Sequence, residues 1–218
     1  MTSIVVFDYG FGNVRSMVRA VANLGVDVEL TSDVDKAMAA DGVVVPGVGA
    51  FAACVEGLRR AGGDDMVYDR LRERKPVLGV CVGLQVMFDT GYEGGVPAEG
   101  LGVLGGSVRQ LKAPVVPQMG WNTVDAAAGS TLLKGVERER FYFVHSYCVS
   151  DPTPEGRVQG LFEPDDEFKV TWCDYGSSRF AAAVERGPLS ITQFHPEKSA
   201  QAGATLLRNW VDSFATAR

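Results

Sequence analysis

The stretch Pro76-Val77-Leu78-Gly79-Val80-Cys81-Val82-Gly83 ends an apolar run with a cysteine that has one glycine two residues before it and another two residues after it. The run predicts a buried strand, and Leu84 and Met87 at helical spacing predict a helix directly after it. A side chain presented at such a strand–turn–helix junction needs small neighbours, because the turn is tight and strained. We therefore predict that Cys81 is a nucleophile, and that the first amides of the helix, including that of Val82, stabilise a thiolate and an oxyanion.

The other three cysteines, Cys54, Cys148 and Cys173, lack paired glycines. We interpret them as small buried apolar residues, the usual environment of a free cysteine and the alternative interpretation for Cys81. No two cysteines have Cys-x-x-Cys spacing, and the chain has only two histidines. The sequence therefore predicts no metal site, and we expect no cofactor.

The residues before the cysteine motif alternate between short apolar runs and amphipathic stretches. Strands are predicted at 4–8, 26–30, 43–45 and 76–80, the third stopped by Pro46-Gly47, and helices are predicted to begin near Asn13, Phe51 and Asp64. Strands that alternate with helices indicate a mostly parallel sheet with helices on both faces.

After about residue 104 the pattern changes to strands separated by turn residues. We predict strands at 105–110, 120–124, 141–144, 156–162, 169–174, 180–185 and 189–194, and a last helix at 200–214. This half is expected to add antiparallel strands to the parallel sheet. With no repeat or linker in the sequence, we predict a single α/β domain over residues 1–218.

Composition limits the classes of function. The chain has 218 residues, 46% hydrophobic and 22% charged, with a net charge of −6. A nucleic-acid binder would carry clustered Lys and Arg, so none is expected as a partner. No apolar stretch approaches the ~20 residues that span a bilayer, and the first residues do not resemble a signal peptide. We therefore expect no membrane association, and a cytoplasmic protein with reduced thiols.

The motif Gln193-Phe194-His195-Pro196-Glu197 supplies a candidate base for the cysteine. Strand alternation is expected to send His195 and Glu197 in similar directions, so that the carboxylate bonds one ring nitrogen and leaves the other for the thiol. A capped surface histidine is the alternative. His145 has no carboxylate nearby before Asp151, and we interpret it as a structural residue or a wall of the site.

Together, the cysteine motif and the downstream His-x-Glu are similar to those of the class I (triad) glutamine amidotransferases. This resemblance implies a flavodoxin-like α/β fold and a glutaminase activity, in which a thiolate attacks the side-chain carbonyl of glutamine and ammonia leaves. Further motifs resemble one branch of the family, the glutaminase subunits that feed a cyclase in histidine biosynthesis. These are Phe7-Asp8-Tyr9-Gly10-Phe11-Gly12-Asn13, Pro46-Gly47-Val48-Gly49-Ala50-Phe51, Pro117-Gln118-Met119-Gly120-Trp121-Asn122, Tyr142-Phe143-Val144-His145-Ser146-Tyr147 and Gln193-Phe194-His195-Pro196-Glu197-Lys198-Ser199.

The resemblance assigns roles to individual positions. It makes Cys81 the nucleophile, His195 the general base and acid, and Glu197 the residue that orients His195. The oxyanion site would comprise Gly47, Val48 and Val82, with the Val48 amide turning inward only when the partner is engaged. Glutamine would be held by Gln85, Glu93, Ser146 and Tyr147, and the cyclase subunit would contact Asn13, Trp121 and Lys198.

Several alternatives stay open on the sequence alone. The Pro46-Gly47-Val48-Gly49 segment fits an ordinary turn after a strand, Trp121 fits a core position, and Glu93, in a turn-like stretch at 91–95, fits a solvated charge. A glutaminase of another pathway, a cysteine peptidase or γ-glutamyl hydrolase, and a non-enzymatic binding module are the competing functions.

Overall fold

A computed structural model describes residues 1–215 of the chain. Its helices are α1 (Val14–Ala22), α2 (Val34–Ala39), α3 (Phe51–Arg60), α4 (Gly63–Arg72), α5 (Val82–Gln85) and α6 (Ala200–Ala215), with a 3₁₀ turn at Pro196–Lys198. Its strands are β1 (Ser3–Phe7), β2 (Asp27–Thr31), β3 (Gly42–Gly47), β4 (Val77–Cys81), β5 (Phe88–Glu93), β6 (Val96–Glu99), β7 (Leu104–Gln110), β8 (Gln118–Thr123), β9 (Arg140–His145), β10 (Tyr147–Val149), β11 (Lys169–Tyr175), β12 (Ser178–Arg186) and β13 (Leu189–Thr192).

The central sheet has seven strands in the order β11-β12-β13-β4-β3-β1-β2. The strands from β13 to β2 pair in parallel, and β12 and β11 extend the sheet in antiparallel pairs. Every residue of β3 and β4 is buried, as expected for inner strands covered on both faces. The predicted α/β fold, with antiparallel strands added by the second half, is confirmed.

Strand β3 runs through Pro46 to Gly47, so the prediction that these residues stop it was wrong. The neighbouring strand β1 pairs with β3 only as far as Val44, whereas β4 pairs with it up to Gly47. Beyond Val44 the strand therefore has a partner on one side only, and there the missing N–H of Pro46 costs no ladder hydrogen bond.

The predicted helix after Cys81 is also much shorter than expected. It consists of the single turn α5, and the chain re-extends at Phe88, which pairs with Leu104 in a second sheet of order β10-β7-β5-β6. The apolar residues after Cys81 fit a buried strand as well as a helix, so the sequence pattern does not distinguish the two. The pairing of Phe88 with Leu104 determines that the chain forms a strand there. The hairpin of β5 and β6 and the elements α2 and β10 were not predicted.

The strand predicted at 156–162 is absent from the described chain, which bends there without pairing. Gly156 lies against the backbone of Gly102, so closely that a Cβ would come within 2.2 Å of the Gly102 oxygen. Val158 donates one backbone hydrogen bond to the same oxygen. This segment is therefore a loop that packs beside the second sheet. Its backbone hydrogen bonds are too few to form the ladder of a strand pair.

A fully buried arginine fixes the start of the two strands that lead to the cysteine. Arg70 donates to the carbonyls of Asp41 and Pro76, which immediately precede β3 and β4. It also donates to the carbonyls of Ala37 and Ala40. Burial lowers the pKa of its guanidinium to about 10, yet the group stays charged at neutral pH. The bonds align β3 and β4, whose far ends carry Gly47 and Cys81.

Candidate active site

Cys81 occupies a strained backbone position at the junction of β4 and α5. Its φ of 57° and ψ of −111° are rare for a residue with a side chain. A Cβ on Gly79 would lie 2.5 Å from the oxygen of Gly83, and one on Gly83 would lie 2.0 Å from the oxygen of Val45. The flanking glycines are therefore required by backbone contacts, which supports the predicted nucleophile junction.

His195 and Glu197 form the predicted contact, although not by strand alternation. His195 Nδ1 lies 2.8 Å from Glu197 Oε1, and both side chains are only 2% exposed. Strand β13 ends at Thr192, and Glu197 lies in the 3₁₀ turn that follows. The expectation of strand alternation between them was wrong, because Pro196 begins this turn. The backbone N–H of His195 donates to the Tyr142 carbonyl, which fixes the main chain at His195 against β9.

The second ring nitrogen of His195 faces the cysteine. Nε2 is buried and has no hydrogen-bond partner among the described residues. Burial lowers the pKa of His195, but its interactions with Cys81 and with Glu197 outweigh that effect and raise the pKa to about 9. A proton taken from Cys81 would therefore be held firmly on this ring.

A cavity of about 350 Å³ opens beside Cys81 and His195. It gathers most of the predicted site residues, namely Val48, Cys81, Val82, Gln85, Glu93, Ser146, Tyr147, His195 and Lys198. Gly47 does not line the cavity but packs against the turn after Cys81, where a Cβ would come within 2.6 Å of the Gly83 nitrogen. The chain thus brings residues from five separate segments around one thiol.

Two of the predicted substrate residues are also held in place by the protein. Gln85 donates to the carbonyl of Tyr147 at 2.9 Å and to Gln193 Oε1 at 3.0 Å. Glu93 ends β5 and accepts the N–H of Phe51 at 2.7 Å, at the start of α3. The turn-like interpretation of Glu93 was wrong. Its carboxylate caps a helix and still faces the cavity.

The segment at 46–49 is held by two buried donors. Tyr9 Oη donates to the carbonyl of Pro46 at 2.6 Å, and Cys54 Sγ donates to that of Val48 at 3.5 Å. Gly49 has a φ of 107°, a conformation that glycine adopts without strain. The Gly47–Val48 peptide therefore lies between two anchored carbonyls. Its role at an oxyanion stays a prediction.

The residues predicted to meet the cyclase extend from the cavity to the surface. Asn13 Nδ2 lies 3.5 Å from Glu197 Oε1, which ties it to the predicted triad. Lys198 Nζ lies 5.9 Å from the ring centre of Tyr142, and Trp121 meets the same ring edge-on. Trp121 is 46% exposed, so the alternative of a core position is wrong.

His145 is a buried wall of the cavity, as predicted. Burial lowers its pKa to about 4, so the ring is neutral at physiological pH. Its Nδ1 donates to the Tyr147 carbonyl at 2.8 Å, and Nε2 lies 3.0 Å from the amide of Gln118. Both nitrogens are engaged, which leaves His195 as the histidine available to the thiol.

The remaining cysteines are free and buried. Burial raises the pKa of Cys54 and of Cys173 to about 12 and that of Cys148 to about 11, so these thiols stay protonated. Within residues 1–215, no three His, Cys, Asp or Glu side chains group as metal ligands, and no helix is long and apolar enough to cross a membrane.

Sequence reasoning missed Gln193, whose buried amide lies next to the cysteine. Its Nε2 is 3.8 Å from Cys81 Sγ. The residue was visible in the Gln193-Phe194-His195-Pro196-Glu197 motif, but nothing in the sequence indicates that a glutamine two residues before the histidine reaches a cysteine 112 positions away.

Comparison with known proteins identifies the class. The family model "Glutamine amidotransferase class-I" matches residues 5–213. The chain therefore belongs to the class I glutamine amidotransferases and is a glutamine amidotransferase enzyme, as its resemblance implied. The fold agrees with a solved glutamine amidotransferase at a TM-score of 0.70, 16% identity and 98% and 99% coverage of the two chains. It also agrees with PurLQS from Thermotoga maritima at a TM-score of 0.65, 15% identity and 97% and 98% coverage.

The chain is also similar in sequence to one particular kind of amidotransferase subunit. The chain is 60% identical to the imidazole glycerol phosphate synthase subunit HisH of Bifidobacterium longum, over 97% of this chain and 99% of that one. It is 56% identical to the same subunit of Streptomyces coelicolor, over 96% and 93%. It is 52% identical to that of Mycobacterium tuberculosis, over 96% and 97%. These relatives match over nearly their whole length, so the likeness covers the site and the surface around it.

Proposed function

We propose that this chain is the glutaminase subunit of an imidazole glycerol phosphate synthase. It hydrolyses glutamine to glutamate and ammonia and passes the ammonia to the cyclase subunit, which closes an imidazole ring in histidine biosynthesis. The observation that carries the chemistry is the convergence of Cys81 and the His195–Glu197 pair on one cavity. The near full-length likeness to subunits of this synthase supports the pathway.

The chemistry uses His195 twice, once in each half of the reaction. Cys81 Sγ attacks the side-chain carbonyl carbon of glutamine, and its proton passes to His195 Nε2. His195 returns that proton to the nitrogen as the C–N bond breaks, and ammonia leaves a γ-glutamyl thioester. Water then attacks the thioester carbon, with His195 as base, and glutamate and the free thiol are formed. Glu197 accepts the N–H of Nδ1, which orients the ring and stabilises its cation.

Backbone amides stabilise the oxyanion that forms at the carbonyl. The N–H of Val82 stands at the first position of α5, where it has no acceptor within the helix. The amide of Val48 supplies a second donor when the Gly47–Val48 peptide turns inward on partner engagement. The anchored carbonyls of Pro46 and Val48 limit that rotation to one peptide.

Glutamine binds along the cavity wall. Glu93 offers its free oxygen to the substrate ammonium, and Gln85, Ser146 and Tyr147 line the path from there to Cys81. Ammonia must stay unprotonated to react in the partner, which requires a dry passage between the subunits. Asn13, Trp121 and Lys198 contact the cyclase at that boundary in this proposal.

The whole chain acts as one amidotransferase domain in this proposal, and it acts in the cytoplasm. A reducing compartment keeps thiols free, and the nucleophile works only as a thiol or thiolate.

The deciding experiment measures glutamate release from glutamine with and without the cyclase subunit and its nucleotide ligand. Recruiting one oxyanion donor is worth on the order of 10² in rate, so we expect stimulation of at least that size. Rapid basal turnover that the cyclase leaves unchanged would contradict the proposed rotation. Basal activity that this cyclase fails to stimulate, but another synthase subunit stimulates, would assign the chain to a different pathway.

Replacing Glu197 by glutamine should weaken the base without removing it. The pKa of His195 is raised to about 9 partly by this carboxylate, so its loss should lower that pKa and move the alkaline limb of the kcat–pH profile to lower pH. We expect kcat in the complex to fall by about 10², less than for His195→Ala. The wild-type ring stabilises the fold fully below pH 6.5, and this contribution is lost as pH rises through about 9.

The measurement is kcat against pH for the wild type, Glu197→Gln and His195→Ala in the same complex. Thermal unfolding at pH 6 and pH 10 reports the linked stability. Equal losses for the two variants, with an unmoved alkaline limb, would make Glu197 a direct participant in the chemistry.

A further inference from the structure

Gln193 places a polar hydrogen close to the sulfur of Cys81 in the protein interior. Its side chain is fully buried, and its Nε2 lies 3.8 Å from Cys81 Sγ. We propose that Gln193 belongs to the active site, where its amide N–H donates to the Cys81 sulfur and stabilises the thiolate over the thiol. This inference rests on the proposed glutaminase function and names a residue that serves its nucleophile.

The orientation of the Gln193 amide follows from its other partner. Gln85 Nε2 donates one hydrogen to the Tyr147 carbonyl and the other to the Gln193 side chain. An NH₂ group can only meet an acceptor, so the Gln193 atom that faces Gln85 is the oxygen. The nitrogen of Gln193 therefore faces the sulfur, and a flipped amide would set two NH₂ groups against each other.

The sulfur has a second polar neighbour with the opposite preference. The carbonyl oxygen of Val144 lies 4.0 Å from Cys81 Sγ, and it can accept the S–H of a thiol but repels a thiolate. Cys81 is 4% exposed, so little water is available to solvate the negative sulfur. His195 faces the sulfur from the cavity and offsets part of both effects, and the Gln193 amide is placed to add a second donor from the protein interior. Its bond to Gln85 also ties the nucleophile to a predicted substrate residue.

The test is the pH dependence of Cys81 alkylation by iodoacetamide in the full-length protein, quantified by mass spectrometry of the peptide that carries Cys81. The midpoint reports the coupled titration of Cys81 and His195. A hydrogen bond to a charged group is worth about one pH unit, so Gln193→Leu should raise the midpoint by about one unit and slow alkylation about tenfold on the acid side. Gln193→Met, close to glutamine in size, should do the same and carries the test if the leucine variant does not fold.

Thr192→Val is the matched control. Thr192 is also fully buried, precedes Gln193 and bonds the Phe194 carbonyl, so its loss tests local packing without touching the sulfur. Its midpoint should match the wild type. Unmoved midpoints in both Gln193 variants, or an equal shift in Thr192→Val, would overturn the proposal for Gln193. Failure of wild-type Cys81 to react, together with no glutamine turnover in the complex, would instead overturn the glutaminase function itself.

Discussion

Cys81→Ala is expected to abolish glutamine hydrolysis while leaving ammonia-dependent synthesis by the complex intact. The substitution removes one sulfur atom, and no other side chain at the cavity is a thiol. Without the covalent route, glutamate release should fall by at least about 10³-fold. The cyclase makes its own product from ammonia, so ammonium salts at alkaline pH should restore synthesis to the wild-type rate.

The measurement compares both nitrogen sources in the same complex, with Cys173→Ala as the matched control. Cys173 is a buried free cysteine of β11 that lies outside the cavity and accepts a bond from Asn122. Cys173→Ala is the same chemical change as Cys81→Ala, and this variant should keep both the glutamine-dependent and the ammonia-dependent activity. Loss of the ammonia-dependent reaction in Cys81→Ala would contradict the division of labour between the subunits, because the variant would then disturb assembly or the cyclase itself.

The parts of the site that could be predicted are those encoded by neighbouring residues. Gly79, Cys81 and Gly83 indicate the junction because they follow one another at a spacing of two residues, although the Val45 oxygen that excludes a side chain at Gly83 is distant in sequence. His195 and Glu197 were paired correctly because they are two positions apart. The backbone between them could not be inferred, since proline fits a strand end and a 3₁₀ start alike.

The parts that failed depend on partners distant in sequence. The apolar residues after Cys81 fit both a helix and a buried strand, and only the pairing of Phe88 with Leu104 decides between them. The donor that Gln193 presents to Cys81 is similarly invisible, because it requires β13 and β4 to lie side by side in register. Local patterns therefore predicted the positions of the candidate nucleophile and of its candidate base, while the contacts around them could be known only from the arrangement of the sheet.

Gly83→Ala should destabilise the fold and inactivate whatever remains folded. A Cβ at this position would lie 2.0 Å from the Val45 oxygen, and β3 cannot yield without shifting its pairing with β4. Overpacking against fixed backbone should cost about 3 kcal/mol of unfolding free energy. The same shift would displace Gly47, which packs against Gly83, so glutamine hydrolysis should fall with it.

Gly25→Ala separates backbone strain from this packing clash. Gly25 has a φ of 74°, and a Cβ at this position would have no neighbouring atom within 4 Å. The substitution should therefore cost only about 1 kcal/mol and leave activity unchanged. Urea unfolding of both variants, with glutamate release measured in the complex, checks the difference. If Gly83→Ala were as stable and active as Gly25→Ala, β3 would be free to move. The close contact of β3 with the nucleophile turn would then not be what holds Cys81 in its strained conformation.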